Sequence, residues 1–170
     1  MRRLMFVDGY NIIGDWPELK ARREDDLESA RDILIEKMAE YQAYTGIQVS
    51  IIFDAHMVPG LGKNFNDYRL EIIYTKEKET ADERIEKLVK EHKRVDTQIY
   101  VATSDFLEQR VIFASGALRK SARELRREME SIEKGIAQEV EKTKNYSNKA
   151  KLPITGEIAE IFEKWRRGKS

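Results

Sequence analysis

A chain of 170 residues has room for one domain with a developed core. It carries no cysteine, which excludes disulfides and thiolate metal sites and fits a reducing compartment. Its 31 basic side chains balance 31 acidic ones, so net charge points to no polyanionic partner. No apolar run approaches the ~20 residues of a membrane span. Met1-Arg2-Arg3 leads straight into a run too short for a signal-peptide core. A cytoplasmic protein is expected.

Leu4-Met5-Phe6-Val7-Asp8 is a short apolar run ending in an acid, and Gly9-Tyr10-Asn11 follows it as a tight turn. Gly14, Asp15, Trp16 and Pro17 read as a loop. Asp25 or Asp26 can cap the next helix, in which Leu27, Ala30, Leu34, Met38 and Tyr41 recur every three or four residues before Gly46. Val49-Ser50-Ile51-Ile52-Phe53-Asp54 is a second strand that ends in aspartate, followed by a glycine-rich loop over 57–64. Leu70-Glu71-Ile72-Ile73-Tyr74 is a third strand. Thr80-Ala81-Asp82-Glu83 is a capping box opening a helix that buries Ile85, Leu88 and Val89.

Gln98-Ile99-Tyr100-Val101-Ala102 is a fourth strand, followed by Thr103-Ser104-Asp105 and a short helix up to Gly116. A long helix is expected from Leu118, with Arg119, Lys120, Arg123, Arg126 and Arg127 on its polar side. Residues 144–153 read as a polar linker before a last helix from Thr155. Strands alternate with helices, which predicts an α/β fold. Its mainly parallel sheet would have four to five strands and helices on both faces. Residues 1–170 form one domain in this reading, with 118–170 as a helical extension packed on it.

Charge is unevenly spread. Residues 1–54 hold 7 basic and 11 acidic side chains, whereas residues 119–151 hold 10 basic and 6 acidic. The basic segment suits a nucleic-acid or phosphate partner, and it equally suits a solvated, salt-bridged helix.

Asp8, Asp54 and Asp105 each follow a strand, and the carboxyl ends of parallel strands share one edge of a sheet. Asp82, in the first turn of a helix, joins them if the segment from Lys76 to Glu79 folds back. Singly, Asp8 and Asp54 also suit turns, and Asp82 and Asp105 suit helix starts. Together they would repel and raise one another's pKa values unless a cation lay among them. Oxygen donors without cysteine suit Mg²⁺ or Mn²⁺, and such an ion promotes phosphate-ester hydrolysis. Thr103 and Ser104 could orient Asp105 or bind the metal's waters, and Asn11 could hold Asp8 or touch substrate. Gly60-Leu61-Gly62-Lys63 lacks the spacing of a P-loop, and His56 and His92 are too far apart for a helical zinc pair.

Val7-Asp8-Gly9-Tyr10-Asn11, Phe53-Asp54-Ala55-His56, Thr80-Ala81-Asp82-Glu83-Arg84 and Ala102-Thr103-Ser104-Asp105 resemble the YacP-like branch of the NYN-domain ribonucleases, within the wider PIN-like nucleases. The resemblance extends through residues 116–125 and the terminal Phe162-Glu163-Lys164-Trp165-Arg166-Arg167-Gly168. It implies a ribosome-associated endonuclease that cuts mRNA in the A site, with Asp8 and Asp82 essential, Asp54 and Asp105 supporting, and Asp8, Asp82 and Asp105 as metal ligands. Under that reading Arg119, Lys120, Arg123, Arg126 and Arg127 meet phosphates of ribosomal RNA or mRNA, and Arg69 and Arg84 approach the scissile phosphate. A monomer fits a narrow ribosomal site. Trp16 and Trp165 are candidates for base stacking, with core packing the better reading of Trp165. The alternative is a ribosome- or RNA-binding module whose carboxylates are structural.

Overall fold

The structure is a computed structural model and describes residues 1–55, 64–65, 70–105, 115–150 and 166. The elements run β1 (Arg2–Asp8), α1 (Gly9–Asp15), α2 (Pro17–Asp25), α3 (Leu27–Thr45), β2 (Gln48–Phe53), β3 (Asn64–Phe65), β4 (Glu71–Tyr74), α4 (Ala81–His92), β5 (Thr97–Ala102), β6 (Leu118–Lys120) and α5 (Ala122–Ala150). The sheet order is β3-β4-β2-β1-β5-β6. β4, β2, β1, β5 and β6 are parallel, and only the two-residue β3 is antiparallel. The expected α/β fold with a mainly parallel sheet is therefore what the chain adopts.

β1 lies at the centre, in register with β2 (Val7 opposite Ile51) and with β5 (Val7 opposite Ala102). The chain leaves β1 toward β2 and later returns on the other side to form β5. Ligand crevices in open parallel sheets lie at such a reversal, beyond the carboxyl ends of the strands. Alternation along β1 gives each face its core. Leu4 and Phe6 join Ile85, Leu88 and Val89 of α4. Met5 and Val7, also fully buried, point the other way by the same alternation.

Several local readings are corrected. The loop expected around Gly14 to Pro17 is two helices, with Pro17 at the start of α2. Proline suits that position because its missing N–H would have no helical partner there. Trp16 is fully buried, and its Nε1 donates to the Ala122 carbonyl at 2.8 Å, so it is not a stacking platform. Asp26 caps α3, its side chain accepting from the Ser29 N–H. Residues 118–120 are an edge strand paired with β5 rather than the start of the long helix. That helix begins at Ala122, where the Ser121 hydroxyl accepts from the Glu124 N–H at 3.1 Å. It continues through Ala150, so the first part of the expected linker is helical.

The expected short helix before Gly116, the loop over 57–63, His56, Arg69, Trp165 and the start of the last helix lie outside the described residues. The chain divides into two compact units, Met1–Ile132 and Glu133–Ser170. The first contains the whole sheet and α1 to α4. In it, Ala122, Leu125, Met129 and Ile132 of α5 are buried at helical spacing. No helix among the described residues is long and apolar enough to cross a membrane.

Candidate active site

Asp8 is the last residue of β1, Asp54 follows β2, Asp105 follows β5 by three residues, and Asp82 is the second residue of α4. Polar contacts hold each of these elements where it leaves the sheet. Buried Thr75 accepts the Ala55 N–H at 2.9 Å and donates its own N–H to the Phe53 carbonyl at 3.0 Å, fixing the exit of β2 beside Asp54. The Asn11 Oδ1 accepts both the Ser104 N–H at 2.8 Å and the Ser104 hydroxyl at 3.0 Å, tying α1 to the exit of β5. Thr103 Oγ1 accepts from the Asp105 N–H at 3.2 Å. The Thr80 hydroxyl caps α4 by accepting from the Glu83 N–H at 3.2 Å, as the capping-box spacing predicts.

Gly9 has a different reason from the expected turn. It is the first residue of α1, and a Cβ there would run into the Phe53 ring. Glycine at this position lets β1 and α1 pass close to β2, next to both Asp8 and Asp54.

The four carboxylates share one electrostatic field. Asp8 is 8% exposed. Its pKa is pushed up to about 7, first by burial and then by the charge of Asp82, with further contributions from Asp105 and Asp54. The Asn11 backbone N–H opposes the rise without completing a capping hydrogen bond. Asp82 is also raised, by desolvation and then by Asp105 and Asp54, although its side chain remains accessible to solvent. Asp82 is the leading charge acting on Asp8.

Among the described residues no three acidic or histidine side chains converge closely enough to hold a metal directly. The donor chemistry still suits a hard cation. Mg²⁺ keeps several of its waters and takes only one or two carboxylates directly, so it does not require three converged side chains. A divalent charge would also relieve the repulsion that raises Asp8 and Asp82.

The other expected site residues divide into two groups. Thr103 is fully buried, so it orients Asp105 and does not meet substrate. Asn11 and Ser104 bind each other. Arg84 is engaged with Glu79 at 2.7 Å, and Lys87 takes the second Glu79 oxygen at 2.8 Å. Lys120, in β6, contacts Glu128 at 2.7 Å and lies over the Tyr100 ring at 5.0 Å. Arg119 is also on β6 and half-buried. Arg126 pairs with Glu18 and Glu130, each at 3.3 Å. Arg123 and Arg127 are the two members of the basic set that are exposed on α5.

One group escaped the sequence reading. Arg31 of α3 donates from Nη1 to the Tyr10 hydroxyl at 3.0 Å, two residues beyond Asp8. The Tyr10 ring is 5.0 Å from Phe53, whose ring stacks on Tyr74 at 5.6 Å. The apolar spacing of α3 marks Arg31 as a non-core position but gives no sign that it reaches Tyr10 of α1.

Comparison with known proteins adds an independent line. The profile of the YacP-like NYN domain matches residues 5–167. YacP of Bacillus subtilis (strain 168) is 54% identical over 165 residues, covering 97% of each chain. The crystal structure described as Rae1 (YacP) from B. subtilis superposes with a TM-score of 0.77 at 55% identity, covering 97% of this chain and 95% of that one. A point-mutant crystal structure of the same protein gives 0.76 at 50% identity, covering 99% and 96%.

Proposed function

Because this chain belongs to the YacP-like NYN family, a PIN-like nuclease family, we propose that it is a metal-dependent endoribonuclease that cuts mRNA in the ribosomal A site during translation. The observation that carries the reading is the shared field of Asp8, Asp54, Asp82 and Asp105, which together with burial raises the Asp8 pKa to about 7. Asp8, Asp82 and Asp105 would hold Mg²⁺ or Mn²⁺, with Asp54 adding negative charge behind them. When bound, the ion supplies a polarised phosphodiester and a water of lowered pKa.

The protein's own groups set the conditions for that step. The Asp8 carboxyl would have to be ionised to hold the cation, so metal affinity should increase as pH rises through about 7. Asn11, Ser104 and Thr103 hold the segment that carries Asp105 beside α1, and Asn11 and Ser104 are also placed to meet the substrate. Arg123 and Arg127 are the exposed cations on α5 suited to ribosomal RNA or mRNA phosphates; such contacts fix position and carry little sequence information.

A non-catalytic RNA-binding module with structural carboxylates is the competing reading. It is favoured by the lack of three converged metal ligands among the described residues. Mapping mRNA 5′ ends in a translating extract separates the two. New ends with the wild type and none with Asp8→Asn or Asp82→Asn are expected. Uncut mRNA with the wild type, or unchanged cutting by either variant, would remove the catalytic assignment.

A further inference from the structure

Arg31 lies in the second turn of α3, where Glu28 of the same helix is a favourable charge for it. Among the described residues it has no carboxylate within ion-pair distance; its hydrogen bond goes to the neutral Tyr10 hydroxyl. Tyr10 leads directly to the acidic pocket: it follows Asp8 by two residues and packs on Phe53, which precedes Asp54. The electrostatics trace the same line, since Arg31 senses Tyr10, Tyr74 and Glu28, while Tyr10 senses Tyr74 and Asp54.

A guanidinium held by one neutral oxygen retains donors for an anion, and its planar fork suits phosphate. We infer that Arg31, oriented by Tyr10, binds a backbone phosphate of the RNA next to the scissile one. This deepens the nuclease reading and rests on it for the identity of the polymer. The acidic pocket by itself repels a polyanion, so a cation beside it gives the strand a point of attachment that does not depend on the metal. Arg31 stays charged across the working pH range. The Tyr10 hydroxyl restrains one end of the guanidinium, which reduces the rotamer freedom lost when phosphate binds.

The test measures binding apart from cleavage. A short fluorescent single-stranded RNA is titrated against full-length Asp8→Asn protein by anisotropy, alone and combined with Arg31→Ala, Arg31→Met or Arg31→Lys. Loss of a charge-assisted bidentate contact should weaken binding roughly ten- to a hundredfold for Ala and Met, with Lys in between. The slope of log affinity against log salt should fall by about 0.7, one phosphate contact on a single strand. Tyr10→Phe should weaken binding less than Arg31→Ala and leave the salt slope unchanged.

Equal binding by folded Arg31→Met, or no RNA binding by any form, overturns the inference. Thermal melts establish that the variants are folded. The outcomes also separate this inference from the nuclease reading. If the wild type leaves mRNA uncut while RNA binding still depends on Arg31, the phosphate subsite stands and the nuclease reading falls. If mRNA is cut but binding ignores Arg31, the subsite alone falls.

Discussion

Asp8 and Glu79 are shielded from solvent almost equally, at 8% and 6% exposed, yet their carboxyls shift in opposite directions. At Glu79 burial pushes upward, but hydrogen bonds from Lys87, Arg84 and the Lys76 N–H outweigh it and hold the pKa below the usual range. At Asp8 burial and the charges of Asp82, Asp105 and Asp54 act together, and the pKa climbs to about 7. Burial raises both carboxyls, but Asp8 lies deeper in the protein, and the cations around Glu79 reverse the sign there. The start of α4 is a closed electrostatic unit with two cations around one anion. At the carboxyl edge of the sheet the neighbours of Asp8 are instead carboxylates, Asp82 foremost.

The largest effect expected from this contrast is on stability at the carboxyl edge. A carboxyl whose folded pKa lies above its unfolded value binds more protons folded than unfolded. Its contribution to stability therefore declines as pH rises from about 4 through about 7. The shift from 3.8 to about 7 sets a ceiling of roughly 4 kcal/mol at alkaline pH. Asp8→Asn should accordingly raise the Tm at pH 8 and change it little at pH 4, while abolishing cleavage. A variant that loses both stability and activity at pH 8 would mark Asp8 as a structural residue.

Glu79→Gln should do the reverse, destabilising the fold by about 2 kcal/mol at pH 7, because Arg84 loses a charged partner at 2.7 Å. Lys87 is largely exposed and adds little to that loss. The Glu79 contribution is present above the ordinary carboxylate range and is lost as pH falls through the lowered folded pKa. Chemical denaturation at pH 7 and pH 3 measures both limbs. An equal wild-type advantage at the two pH values would contradict the pairing.

The smallest effect is expected on the basic face. Charge reversal at Arg123 and Arg127 should leave the unfolding free energy within about 0.5 kcal/mol of wild type, as exposed positions do. It should still weaken ribosome association and lower its salt dependence. Sedimentation with ribosomes at two salt concentrations reads this directly, and unchanged association would take α5 out of the interface.

The parts of the fold visible in the sequence were those with a local physical signal. The apolar runs of β1, β2, β4 and β5 and the Thr80 cap of α4 needed no knowledge of distant residues. α1 and α2 were hidden because Gly9, Gly14 and Pro17 look like loop punctuation. Gly9 is there for clearance from Phe53, and Pro17 opens a helix. β6 was hidden by composition: Leu118-Arg119-Lys120 suits a basic helix, and only pairing with Tyr100 to Ala102 makes it a strand. The four carboxylates were legible from their positions after strands and at a helix start. Arg31 was not, because its contact with Tyr10 depends on how α3 packs against α1.

The account turns on the Asp8 carboxyl being raised by burial and by the charge of Asp82 beside it. An NMR titration of the aspartate side-chain carboxyl carbons in metal-free protein tests this most directly. Asp8 should titrate near 7, and Asp82→Asn or saturating Mg²⁺ should bring it down toward the ordinary aspartate range. An Asp8 that titrates near 4 in the wild type, unmoved by Asp82→Asn, would contradict a shared site.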